Sequence, residues 1–77
     1  MLELRPNCEL CDCDLDAQVA GAYICSFECT FCTNCAEVKL HKVCPNCNGE
    51  LLPRPTRSAA LLNKYPASTI RIHSDKN

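Results

Sequence analysis

Four cysteines fall within eleven residues, Cys25, Cys29, Cys32 and Cys35. Neighbours this close rarely meet disulfide geometry with one another. Tetrahedral metal coordination accommodates them readily, because a Cys-x-x-Cys turn sets two thiolates on one side of one ion. The stretch holds two short-spaced pairs back to back, so it is suited to two ions. Each pair then needs a distant partner, and the chain supplies one on either side, Cys8-x-x-Cys11 before and Cys44-x-x-Cys47 after. The whole pattern, C-x2-C-x13-C-x3-C-x2-C-x2-C-x8-C-x2-C, uses eight of the nine cysteines and leaves Cys13 over.

Size makes such sites necessary. A chain of 77 residues forms one small domain whose apolar core alone is marginal. There is no Trp, with only two Phe and two Tyr, and nine of the nominally hydrophobic residues are Cys. A structural zinc in a small peptide contributes on the order of 10–16 kcal/mol of apparent binding free energy, which becomes folding free energy. The opening Met1-Leu2-Glu3-Leu4-Arg5-Pro6 lacks a basic start followed by an apolar run. No segment has the roughly 18 apolar residues of a membrane span. With an odd cysteine count, these features predict a reducing, cytoplasmic setting and thiolate ligands in place of disulfides.

Eight sulfurs around two Zn2+ ions can be wired in two ways. In the interleaved wiring, Cys8, Cys11, Cys32 and Cys35 hold one ion while Cys25, Cys29, Cys44 and Cys47 hold the other. The sequential wiring pairs the first four and the last four. The interleaved form is expected, because it ties both ends of the chain to the centre and closes longer loops. Cys13 could replace Cys11, and His41, three residues before Cys44, could supply a nitrogen. The expectation is a spare thiol and a helix-capping histidine. Iron is the rival metal, since Cys29-x2-Cys32-x2-Cys35 followed by Cys44-Pro45 is partly ferredoxin-like, but the last gap is too long.

Leu2 and Leu4 alternating with charged residues suggest a half-buried lead-in strand. Asp12, Asp14 and Asp16 read as a solvated acidic loop; the glycine and closing Glu of a calcium loop are missing. Ala22 to Cys25 and Phe27 to Phe31 suggest a hairpin, with Tyr23, Phe27 and Phe31 as its small core. Asn34 followed by Glu37 resembles a capping box opening a two-turn helix that ends near His41. Asn48-Gly49 offers a tight turn and Glu50-Leu51-Leu52 a closing strand. The predicted fold class is a small, metal-dominated α+β domain: a cross-braced two-zinc module built from a treble-clef type hairpin and one short helix. Its expected extent is residues 1–53. Residues 54–77 are expected to be a basic, mostly flexible tail, with a short docking helix over Ser58 to Lys64 as the alternative.

Order and spacing resemble a RING finger. Cys29 stands where that family usually has a histidine. Leu10 and Pro45 match the places where ubiquitin-ligase RINGs contact their conjugating enzyme. The chain has no Trp for the usual helix contact, and Asn48 follows the last cysteine where active ligases often carry Arg. The resemblance therefore implies the metal wiring and not ligase activity. Residues 1–55 resemble more closely a small, mostly bacterial family known as domain of unknown function 1272. The Met-Leu-Glu-Leu-Arg-Pro-Asn-Cys opening, the run Ile24 to Cys32 and Cys44-Pro45-Asn46-Cys47 carry that resemblance. It implies a cytoplasmic bacterial protein, with Cys13 particular to this chain, and brings no assigned activity.

Closed four-sulfur sites have no open position for water, and no nucleophile–base pair, paired carboxylates or phosphate loop is evident, so no enzyme is expected. The leading expectation is a monomeric zinc-stabilised module that binds another protein through Leu10, Pro45 and Val38. The second is nucleic-acid binding through residues 54–77, which hold five of the eight basic residues. Against it, residues 1–53 hold three basic and eight acidic residues. Eight thiolates neutralised by two divalent cations to a net −4 would bring that part to about −9. The third is a thiol or zinc redox sensor acting through Cys13 or a labile zinc–thiolate site.

Overall fold

The computed structural model describes residues 1–73. The last four residues of the expected tail, Lys76 among them, lie outside the described residues. Two three-residue strands, β1 (Ala22–Ile24) and β2 (Thr30–Cys32), pair antiparallel, with Ala22 opposite Cys32 and Ile24 opposite Thr30. The link between them is tight because Cys25 and Cys29 close on each other, Cys25 N–H donating to Cys29 C=O and Glu28 N–H to Cys25 C=O. Glu28 takes a positive φ of 65° to complete the turn. A two-residue strand β3 (Leu52–Pro53) pairs with the other side of β1, giving the order β2-β1-β3. Pro53 is tolerated there because β3 is an edge strand, where a ladder donor can be dispensed with. Glu50 pairs with Val43 in an isolated bridge, so the closing strand starts two residues later than its sequence suggests.

The core is small, and half of it is sulfur. Cys8, Cys25, Cys35 and Cys44 are buried together with Tyr23, Phe31, Ala36 and Leu51. Phe31 and Leu51 are its largest apolar members and are completely enclosed. Phe27 is not part of it: 72% exposed, it corrects the expected aromatic trio. The turn explains this placement, since the Phe27 backbone N–H points inward to the Cys25 sulfur at 3.3 Å.

The helix after β2 also departs from its expected form. Asn34 is already helical, at φ −60° and ψ −48°, and makes no side-chain cap. Residues Cys35–Lys39 wind as a π-helical turn, closed by Leu40 N–H on Cys35 C=O at 2.9 Å. Glu37 does not reach back to the helix start, because its carboxylate accepts the Tyr23 hydroxyl at 2.6 Å. That bond fastens the turn to β1 and raises the Tyr23 pKa. The chain leaves the turn through His41 and Lys42, both at positive φ. Leu4, expected in a lead-in strand, is buried at φ 55° and forms no strand.

A single helical turn, α1 (Ala59–Leu62), falls inside the Ser58 to Lys64 window. Residues 54–73 run back along the N-terminal segment. Arg54, buried, donates to the Arg5 carbonyl at 2.9 Å. Arg57 donates to the carbonyls of Leu2 and Tyr65, and Ser68 N–H to Glu3 C=O. Near the end, Asn7 and Ile72 exchange side-chain-to-backbone hydrogen bonds. Arg71 reaches Asp14 at 2.7 Å and both the carbonyl and the carboxylate of Asp12.

Candidate metal centres

The sheet and the π-helical turn bring sequence-distant cysteines together in two groups. Cys8, Cys11, Cys32 and Cys35 present four sulfurs within 4.8 Å of one another, and Cys25, Cys44 and Cys47 present three. This is the interleaved grouping: the chain's first knuckle meets the end of β2, and its last meets the end of β1. All nine cysteines are free thiols. His41 is in neither group.

Each knuckle turns a backbone N–H onto a sulfur. In the first group Cys11 N–H points to the Cys8 sulfur at 3.5 Å and Cys35 N–H to the Cys32 sulfur at 3.4 Å. In the second, Phe27 N–H points to Cys25 at 3.3 Å and Gly49 N–H to Cys47 at 3.4 Å. Such donors favour the thiolate, the form that binds metal. Gly49 leaves the Cys47 sulfur room, since a Cβ there would lie 3.2 Å from it and ask it to shift by a few tenths of an ångström.

Cys29 stands slightly apart. Its side chain contacts Cys25, Cys44 and Asn46, yet its sulfur is outside the spread shared by the second trio. Burial raises its pKa, and the Asn46 amide works in the opposite direction. Asn46 also donates to the Glu9 carboxylate at 3.1 Å. Glu9 is buried inside the first knuckle and accepts Arg5 through its other oxygen at 3.3 Å. The two groups are therefore joined by a polar chain, Arg5–Glu9–Asn46–Cys29, which periodicity and spacing did not reveal.

Without a metal these sulfurs strongly perturb one another. Burial pushes the Cys44 thiol up to about 12 and also raises Cys8 and Cys35. Cys11 goes the other way: desolvation opposes its thiolate, but hydrogen bonds from Cys13, Cys8 and Cys32 outweigh that and bring it down to about 6. Cys13, expected to be a spare loop thiol, is exposed and in neither group, with Cys11 and Cys32 as neighbours. Desolvation and those two neighbours push it up to about 12. A set of mutually close soft donors, four of them with a backbone N–H at hand, suits a thiophilic cation.

No helix among the described residues is long and apolar enough to cross a membrane. The family model described as protein of unknown function (DUF1272) matches residues 1–57. An uncharacterised protein of Rhizobium meliloti (strain 1021) is 62% identical over 72 residues, covering 94% of this chain and 86% of that protein. No solved structure matches the chain.

Proposed function

This chain belongs to the DUF1272 family, and we propose that it is a zinc-built, non-enzymatic module whose surface binds another protein. The observation that carries this reading is the interleaved convergence of Cys8, Cys11, Cys32 and Cys35 in one group and Cys25, Cys44 and Cys47 in the other. Cys29, next to Cys25 and Cys44, completes the second set as its fourth sulfur. Four thiolates form a closed structural zinc site with no position left for a reacting water. The cross-braced arrangement is the RING-like one, with β1 and β2 as the hairpin and the π-helical turn in place of the helix.

The surface supports protein binding over nucleic-acid binding. Among the described residues, the arginines of segment 54–73 are committed to the chain itself: Arg54 to a carbonyl, Arg57 to two, and Arg71 to Asp12 and Asp14. Lys64 stands over the Tyr65 ring. Apolar side chains are available instead, with Val38 and Val43 exposed on and after the π-helical turn and Leu10 half-buried on the first knuckle. The test is metal content by native mass spectrometry, joined to co-purification from the native host with wild type and Leu10→Glu. Two zinc ions per chain and a partner lost with Leu10→Glu are expected. A metal-free folded protein, or the same recovery with both baits, would refute the reading.

A further inference from the structure

Residues 66–73 form no helix or turn, and their end lies across the first knuckle as a peptide lies in a binding site. Ile72 N–H donates to Asn7 Oδ1 at 3.3 Å, and Asn7 Nδ2 donates to Ile72 C=O at 2.9 Å. One side-chain amide thus pairs with both backbone groups of one residue, and Asn7 is only 1% exposed. The same Nδ2 meets the Cys8 carbonyl at 3.2 Å and the Asp12 carboxylate at 2.8 Å, which set the direction of the amide. Beside it, Arg71 donates to the Asp14 carboxylate at 2.7 Å, and to the carbonyl and carboxylate of Asp12 at 2.8 and 3.1 Å. His73 Nε2 lies 3.3 Å from the Leu10 carbonyl. One folded loop presents Asn7, Asp12 and Asp14: Asn7 bridges Asp14, and Cys8 N–H donates to Cys13 C=O at 2.9 Å.

We propose that this face of the first knuckle is a recognition site for an extended, arginine-bearing peptide segment, and that the chain's own Arg71-Ile72 fills it until a partner displaces it. The proposal rests on the protein-binding reading and gives that partner its chemistry. Asn7 reads main chain, so the residue it holds needs a free N–H and C=O and no particular side chain. Asp12 and Asp14 read the residue before it. A planar guanidinium reaches three oxygens at once, in a fork that a lysine ammonium does not reproduce. Exposed ion pairs contribute little on their own, and the Asp14 side chain is 89% exposed. The paired hydrogen bonds on Asn7 are shielded from water, where they are stronger. Asn7 therefore anchors the segment and the two aspartates select it.

The test uses the full chain at a fixed free zinc concentration, with a fluorescent hexapeptide of the sequence Ser68 to His73 as probe. Arg71→Glu is expected to bind the probe about tenfold more tightly than wild type, because a site closed by its own tail about nine-tenths of the time loses that factor. Against Arg71→Glu, a probe with glutamate in place of its arginine should lose most of its binding. So should a probe methylated on the nitrogen that stands for Ile72 N–H, which tests the Asn7 contact without altering the buried residue. Adding the surface change Asp14→Asn to Arg71→Glu should weaken the unmodified probe several-fold. Equal binding by wild type and Arg71→Glu, no binding by either, or indifference of the probe to its arginine or to methylation overturns the proposal. A partner lost with Leu10→Glu, from a chain that ignores the hexapeptide, would keep the protein-binding reading and end this one.

Discussion

Asn46→Ala is expected to weaken both knuckles, although it removes no sulfur. Asn46 donates to Glu9 across 37 residues of sequence, and Glu9 is buried with its second oxygen on Arg5. A hydrogen bond to a charged group contributes about 1.5–3 kcal/mol. At 3.1 Å and with Asn46 itself exposed, the lower end applies. The variant should therefore lose about 1.5 kcal/mol, which in a domain of this size lowers Tm by about 6–12 °C. The assay is urea and thermal unfolding at a fixed free zinc concentration, since bound metal contributes to apparent stability by mass action. Glu9→Ala alone should cost more, because it removes two hydrogen bonds at once and leaves Arg5 with Glu3 only. The decisive quantity is the double-mutant coupling between Glu9→Ala and Asn46→Ala, expected near 1 kcal/mol or above for groups in direct contact. Additivity to within about 0.3 kcal/mol would refute the polar link between the knuckles.

Metal affinity should rise with pH through the neutral range. Cys44 at about 12 without metal, and the raised Cys8 and Cys35, must all lose protons on binding, so lower pH favours the metal-free form; proton release measured against pH checks this. Gly49→Ala should loosen the second centre selectively, because the new Cβ meets the Cys47 sulfur at 3.2 Å and shifts it by a few tenths of an ångström; site-resolved zinc release is the readout, and equal release from both centres would refute it. Phe27→Ser should change stability by no more than about 0.5 kcal/mol, as expected for an exposed side chain away from packed features, and a larger loss in urea unfolding would restore Phe27 to the core.

The grouping of Cys8, Cys11, Cys32 and Cys35, and of Cys25 with Cys44 and Cys47, was legible because short Cys spacings are local and tetrahedral chemistry leaves few ways to combine them; the offset of Cys29 was not. The hairpin was legible too, since alternation around Tyr23 and Phe31 and the tight Cys25–Cys29 link are local signals. Phe27 was misplaced because scarcity of aromatics argues that they should be buried but says nothing of which way a turn points them. The capping box at Asn34 and Glu37 was a real local pattern that lost to a tertiary bond from Tyr23. The π-helical turn leaves no spacing signature, as its one Leu40-to-Cys35 backbone bond uses groups shared by nearly every residue type. The return of Arg57 and Arg71 joins residues more than fifty positions apart, and isolated arginines carry no mark of their distant partners.

With both centres filled as proposed, a folded interior that is half thiol would tie the chain's own lifetime to the cell's metal supply. Starved of ions, Phe31 and Leu51 are too few to keep water out, and proteases meet an open polypeptide. Abundance of this protein would then follow metal availability through turnover alone, with no change in its synthesis.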